Sequence, residues 1–426
     1  MYSLKNLFSP YRGLPKEVYI IAVARFINAL GCFVFPLLTL ILTDTIGLSK
    51  STAGLYLSMA GIVSVPAAML GGKLADSVGR KKVIVCFDSL AIALYITASF
   101  IEPSLPMVYL IILAGAAMMT AGPAHDSLMA DLTTPEVRNG AYALTYMGWN
   151  LGFAVGPVVG GLLYKHHLKL IFLGDAFTAL ISLVLITIFI RDTFQGTKEE
   201  LPGKHRKLEM REEGSIFAVL LKRPVLIYIA IAGFIWQFVY SQWTFMLPIH
   251  AVQNFHELGA QYYGLIAGFN GLVVILFTPL LTKATEGLTD TRRMVNGVFL
   301  YAVGFGMLGL LNSLPFFFIS AFVFTLGEII IAISVNPFIA NHTPISHRGR
   351  MNAVIPMIMG VGFTIGPMAM GKLLSYLSIE RGWLFIGLVG LIGTLIMFWV
   401  EKYAERITQD DVPSITDSSL VQQDYS

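Results

Sequence analysis

Charge is the scarcest commodity in this chain of 426 residues. Only 13% of them are Asp, Glu, Lys or Arg, against roughly 25% in soluble domains, while the apolar fraction reaches 55% and the mean hydropathy +0.71. That balance excludes an ordinary soluble enzyme. The two cysteines, Cys32 and Cys86, both fall inside apolar stretches, which excludes a disulfide framework. No glycine-rich phosphate loop ending in Gly-Lys-Ser/Thr occurs, so ATP drive is unsupported, and His166, His167 and His205 lack metal-ligand companions at useful spacing. Catalytic residues, a metal and a cofactor are therefore all expected to be absent. The net charge of +3 is no continuous basic face of the kind nucleic acid needs.

What is present is a series of long apolar runs. Twelve approach or exceed the roughly 20 residues that cross a hydrocarbon core: about 17–43, 51–75, 83–101, 106–130, 140–164, 168–190, 225–253, 260–283, 292–311, 315–341, 349–377 and 382–400. They are numbered spans 1 to 12. The first is longer than a signal-peptide core, and no cleavable leader is expected before it. Gly152-x-x-x-Gly156-Pro157-x-x-Gly160-Gly161 in span 5 recurs in span 11 as Gly362-x-x-x-Gly366-Pro367-x-x-x-Gly371, at an offset of 210 residues. Upstream the same offset carries Ala130 onto Ala340, Thr133 onto Thr343 and Arg138 onto Arg348. The chain is a duplication, and a repeated transmembrane half is how secondary transporters are built.

The expected fold class is an all-α membrane protein: twelve transmembrane helices in two pseudo-symmetric six-helix bundles. Residues 1–190 form the first bundle, 191–223 a polar linker with a short amphipathic helix around 208–221, 224–407 the second bundle, and 408–426 a disordered tail. With both termini inside, cytoplasmic segments hold 22 of the 29 Lys and Arg residues and the outer loops five, a bias that sets orientation in a cell membrane.

Between spans 2 and 3 the chain reads Gly72-Lys73-Leu74-Ala75-Asp76-Ser77-Val78-Gly79-Arg80-Lys81-Lys82. This resembles the G-x-x-x-D-x-x-G-R-K/R signature of the major facilitator superfamily, and the Gly-Pro-Gly-Gly element of span 5 resembles the motif of its twelve-span drug/proton antiporter branch. The resemblance covers the whole chain. It implies that Gly72 lets spans 2 and 11 approach, that Asp76 caps a helix or pairs with Arg80, and that Asp131, closing span 4, completes a charge cluster latching the cytoplasmic side. Gly79 and Lys81 complete the motif. The second half keeps a degenerate copy, with Glu286 at the position of Asp76 but Asp290 at that of Arg80, which places the inner latch mainly in the first half. The arginine that many drug antiporters carry early in span 4 is missing, since Leu110 to Gly122 holds no charge.

Small residues let apolar helices touch where burial of further apolar surface contributes little. Gly152, Gly156 and Gly160 share one helical face, and Pro157 bends the helix beside them. Spans 5 and 11 are accordingly expected to meet in a seam of Gly152, Gly156, Pro157, Gly160, Gly366 and Pro367 that seals the outer vestibule; ordinary packing is the alternative.

Charge at membrane depth faces a cavity or a partner. Glu328 lies near the centre of span 10, in a Thr325-Leu326-Gly327-Glu328 context resembling the acidic element of some proton-coupled multidrug exporters; it is either a proton or cation site or a structural carboxyl. Arg25 of span 1 and Asp126 of span 4 sit at comparable depth and are expected to pair, with His125 beside them as a further titrating group or a packing residue. Asp88 and Asp175 read as interfacial. In span 7, Trp236, Gln237, Tyr240 and Trp243 cluster within two turns, and with Tyr146, Asn150 and Asn28 they are candidates for a cavity wall stacking on flat, apolar or cationic compounds; interfacial belts share that composition.

Three classes remain: a proton-coupled exporter of lipophilic or cationic drugs, a carrier for a defined metabolite (sugar, amino acid, peptide or siderophore), and a membrane sensor. The antiporter motif and the sparse polar lining point to the first, with a small-molecule substrate, protons and the lipid bilayer as partners and a monomer as the working unit.

Overall fold

The computed structural model describes residues 13–193, 220, 222–310, 312–343 and 348–410. Within a bilayer every backbone donor and acceptor must be satisfied inside the protein, and a helix does so segment by segment. Each apolar run accordingly folds as a helix. Span 1 is Lys16–Leu30 continued by Val34–Leu40 and a π-helical turn Ile41–Thr45. Spans 2 to 6 are Lys50–Val78, Arg80–Ser99, Leu105–Asp131, Pro135–Tyr164 and Leu168–Phe189. Span 7 is Pro224–Tyr240 with Gln242–Phe255, and spans 8 to 12 are Gly259–Ala284, Asp290–Gly306, Leu314–His342, Arg348–Leu373 and Ile379–Asp410.

The boundaries carry their own chemistry. Ser49 accepts a hydrogen bond from the Thr52 amide at the start of span 2, and Thr289 accepts one from the Arg292 amide at the start of span 9, supplying the cap that a helix N-terminus lacks. Gly79 separates spans 2 and 3 with φ of +113°, a backbone setting that glycine alone adopts at no steric cost. Span 12 runs ten residues beyond the apolar run, to Asp410. Those turns are polar and held by pairs that hydropathy does not register: Lys402 with Glu405 at 2.8 Å and Arg292 with the buried Glu401 at 3.3 Å. The linker helix expected around 208–221 lies outside the described residues, Leu220 excepted, as does the tail beyond Asp410. Both cysteines are free.

The duplication is visible in the packing. In the first half, span 1 packs on spans 5 and 6, span 4 on spans 2 and 3, and span 3 on span 6. In the second, span 7 packs on spans 11 and 12, span 10 on spans 8 and 9, and span 9 on span 12. Every pair maps onto its counterpart six spans on. The halves join through span 5 on span 8 and span 2 on span 11.

This corrects the expected seam between spans 5 and 11. A Cβ on Gly152 would lie 2.5 Å from the Phe26 carbonyl oxygen, one on Gly156 2.8 Å from that of Ala29, and one on Gly160 3.2 Å from Leu37, all in span 1. Gly161 faces span 8 instead, 2.6 Å from the Ala260 carbonyl oxygen, and the Pro157 carbonyl abuts Gly264 of span 8. In span 11, Gly366 abuts Ser241 of span 7 and the Pro367 carbonyl abuts Gly54 of span 2. Spans 5 and 11 are equivalents under the repeat, so each meets the second span of the opposite half and the two lie on opposite flanks of the interface.

An even number of crossings puts Lys16 and Asp410 on one face, here the terminal face; the other is distal. The close approaches joining the halves lie in the distal parts of the spans. Gly161 meets Ala260, Gly371 meets Lys50, Thr39 donates to the Thr244 carbonyl at 2.6 Å, and the Met368 amide donates to Ser58 at 3.2 Å. At the distal rim Lys165 pairs with Glu257 across the halves at 2.6 Å. The deepest are Gly61 with Thr364 and Gly271 with Ala154. The conformation is closed on its distal side.

Candidate functional site

Glu328 is the middle residue of the 29-residue span 10, about 21 Å along the axis from either end. Its Oε2 accepts from the Asn270 amide of span 8 at 2.8 Å, and the same amide nitrogen donates to Thr325 Oγ1, also at 2.8 Å. Thr325 in turn donates to the Ala321 carbonyl at 2.5 Å. Asn270 and Thr325 are both buried. Tyr240 of span 7 interacts with the same carboxyl group and stacks on Tyr301 of span 9, with centroids 5.3 Å apart. Tyr146, across the interface in span 5, is within electrostatic reach of it. Among the described residues no lysine or arginine contributes to the electrostatics of this carboxyl group. The neighbours named here are neutral, and an unpaired charge so placed is costly.

The first half holds a second cluster. Arg25 Nη2 and Asp126 Oδ1 are 3.6 Å apart, with the Asp126 side chain 72% exposed. His125 does not join them. Successive helical residues point about 100° apart, and the imidazole turns behind span 4 to meet Asp88 Oδ2 of span 3 at 2.9 Å, both side chains being largely covered. Asp88 is thus not interfacial. Nor is Asp175, which is buried in span 6 and accepts from the Val34 amide at 2.8 Å. Span 1 breaks at Gly31-Cys32-Phe33, and this carboxyl caps the helix that restarts there. An acid five residues (Asp88) or seven residues (Asp175) into an apolar run is the sequence signal for each.

In the motif between spans 2 and 3 the charged residues Asp76, Arg80 and Asp131 come together. Arg80 pairs with Asp131 at 3.2 Å and Asp76 at 3.5 Å and donates to the Ala75 carbonyl at 3.1 Å. Lys81 stands apart, donating to the Ile190 carbonyl at the end of span 6 at 2.6 Å. Gly72 does not bring spans 2 and 11 together here: its nearest neighbour is Pro123 of span 4, 4.0 Å from where a Cβ would sit. It lies about 20° from Gly61 on the helix wheel, but the halves part towards the terminal face. The second half has a fuller copy than its motif suggests, because Arg293, three residues late, pairs with Asp290 at 3.4 Å and donates to the Thr285 carbonyl at 2.8 Å.

Of the expected cavity wall, Trp236 does not face a cavity. It is buried in the core, on a helix that packs against spans 11 and 12. Trp243 is mostly covered too, and packs its ring on Phe153 of span 5 at 6.0 Å and Tyr240 at 6.2 Å. Gln237, Tyr240, Asn28 and Asn150 are half-buried and Tyr146 is exposed. Asn150 spends its amide on the Tyr146 carbonyl at 2.9 Å.

Two six-helix repeats closed on one side, with ionisable groups at membrane depth in each, define a multi-pass membrane transporter. The chain belongs to the Major Facilitator Superfamily, whose family model matches residues 21–295 and 263–419. It is 23% identical over 417 residues to the Na(+), Li(+), K(+)/H(+) antiporter of Planococcus maritimus, covering 90% of this chain and 95% of that one. It is 22% identical to the multidrug resistance protein MdtH of Salmonella arizonae, covering 92% and 95% respectively. Among solved structures it superposes on a POT family transporter bound to a thioalcohol-conjugated peptide, with a TM-score of 0.78, 15% identity and coverage of 93% and 98%; at that identity the likeness concerns the fold. These relatives are transporters, and proteins of this kind bind small molecules.

Proposed function

We propose that this protein is a proton-coupled exporter of lipophilic or cationic compounds, working by alternating access as a monomer with the terminal face cytoplasmic. The observation that carries the reading is Glu328: a carboxyl group at mid-membrane, hydrogen-bonded to Asn270 and given no basic partner among the described residues. A proton taken from one side neutralises it, and release to the other side follows when the halves rock. Tyr240, half-buried and backed by the stacked Tyr301, and the exposed Tyr146 supply rings near it, which suit flat or cationic bodies and impose few directional hydrogen bonds. Names of relatives, one an antiporter exchanging cations for protons and one a multidrug resistance protein, agree with exchange. The basic bias of the terminal face supports the orientation.

The test is transport of a panel of lipophilic cations and small metabolites in proteoliposomes, with and without an imposed pH gradient. Glu328→Gln keeps the size of the side chain but carries no proton. Uphill transport is expected to vanish while the protein stays folded; wild-type pH dependence in this variant refutes the assignment, and transport confined to one hydrophilic metabolite replaces the exporter with a dedicated carrier.

A further inference from the structure

We infer that the Glu328 site is also an inorganic cation site: Glu328, Asn270 and Thr325 form a cradle for a small alkali-metal ion, Li+ or Na+ in preference to K+, which exchanges with the proton. The inference rests on the reading of Glu328 as the coupling carboxyl.

Three features of the cradle argue for it. First, the partners are those a hard monovalent cation takes, since such ions favour oxygen from carboxylates, amides and hydroxyls. Second, the three groups converge. Asn270 Nδ2 is 2.8 Å from both Glu328 Oε2 and Thr325 Oγ1, and the oxygen and nitrogen of an amide exchange places by a half-turn about one bond. With the carboxylate free of metal, the amide presents N–H to it, as observed. After the half-turn Asn270 Oδ1 joins Glu328 Oε2 and Thr325 Oγ1 in one oxygen-lined corner. Thr325 needs no rearrangement, because its proton is already committed to the Ala321 carbonyl and its lone pairs face Asn270. Third, among the described residues no lysine or arginine contributes to the electrostatics of Glu328, so the place of the counter-charge is open to a diffusible ion.

Size follows from the spacing. Groups 2.8 Å apart are in mutual contact, so a metal entering between them must spread them, and the spreading grows with its radius. Li+ demands least and K+ most. The exchange balances without further reactants: the protonated carboxyl group of Glu328 loses its proton, the metal ion takes its place against the carboxylate, and the net charge of the site is unchanged.

The measurement uses the full-length protein in proteoliposomes prepared in choline buffer, with a pH-sensitive dye inside. LiCl, NaCl or KCl is added outside, and proton movement is read alongside Trp243 fluorescence, that ring lying 6.2 Å from Tyr240. Proton movement is expected with Li+ and Na+ at lower concentration than with K+. Thr325→Val removes one oxygen at nearly constant shape and is expected to raise the half-saturating Na+ concentration at least tenfold; Asn270→Leu is expected to do the same, and Glu328→Gln to abolish the response. Thermal melting of each purified variant separates misfolding from loss of the site. An absent metal response in wild type, or an unaltered half-saturation in a folded Thr325→Val, overturns the inference. If lipophilic cations still drive proton movement through Glu328 while Li+, Na+ and K+ do not, the coupling role stands and the metal site alone fails. If Glu328→Gln preserves proton movement with every substrate, the underlying reading fails with it.

Discussion

Gly152 and Gly161 of span 5 form a matched pair for testing alternating access, because a methyl group at each meets a carbonyl oxygen at nearly the same distance in a different half. At Gly152 the Cβ of an alanine would stand 2.5 Å from the Phe26 oxygen of span 1, within its own bundle; at Gly161 it would stand 2.6 Å from the Ala260 oxygen of span 8, across the interface. Ordinary contact begins near 3.4 Å, so the backbones must yield by about 0.9 Å at Gly152 and about 0.8 Å at Gly161. Overpacking of this order costs about 1–3 kcal/mol. At Gly152 the cost falls on both conformations, because spans 1 and 5 move as one bundle. At Gly161 it falls only on the distal-closed one. Gly161→Ala is therefore expected to shift the closed-to-open ratio by about 5- to 150-fold towards open with little loss of melting temperature, whereas Gly152→Ala lowers the melting temperature and leaves the ratio alone. Spin labels at Glu102 and Tyr376, both exposed in distal loops, report the ratio as a distance distribution on a background lacking Cys32 and Cys86. An unchanged distribution in Gly161→Ala, or the same shift in both variants, refutes the division of contacts between state and fold.

The Lys165–Glu257 pair gives a pH test of the same closure. Its hydrogen bond to Lys165 holds the Glu257 carboxyl below the usual glutamate value, so its contribution is complete above that usual value, near 4.3, and is lost as pH falls through the lowered one. Distal opening is expected to rise below about pH 4 and in Glu257→Gln, and to reverse when Lys165→Glu is combined with Glu257→Lys; a pH-independent distance in wild type sinks the assignment. Asp175→Val removes the cap of the restarted span 1 helix and is expected to cost about 1–2 kcal/mol, with Asp175→Asn milder because its amide oxygen still accepts from Val34; equal melting temperatures for wild type and Asp175→Val would discount the cap. Asp76→Asn weakens a network with Arg80 and Asp131 and is expected to slow cycling without altering melting, checked by cysteine labelling rates on the terminal side of the cavity, which must change if the cluster is a latch.

The sequence by itself determined the membrane class, the twelve spans, the repeat and the residues that carry charge at depth. It could do so because each rests on local physics: a helix must be long and apolar to cross a bilayer, and an isolated charge in such a run is visible as a letter. Arg25 with Asp126 and Asp76 with Arg80 and Asp131 were legible for that reason, as opposite charges at like depth have few other partners. Only the tertiary structure decided what touches what. A glycine stripe announces close contact but does not name the neighbour: the repeat turns the glycines of span 5 to spans 1 and 8 and those of span 11 to spans 7 and 2, not to one another. Depth along a helix does not fix azimuth: His125 is next to Asp126 in sequence, yet one residue of rotation sends it to Asp88. Trp236 looked like cavity lining because aromatic composition is shared by cavities, interfaces and cores. The cradle of Glu328, Asn270 and Thr325 joins residues 55 and 58 positions apart, and the pairing of spans 8 and 10 that brings them together is a property of the packed bundle.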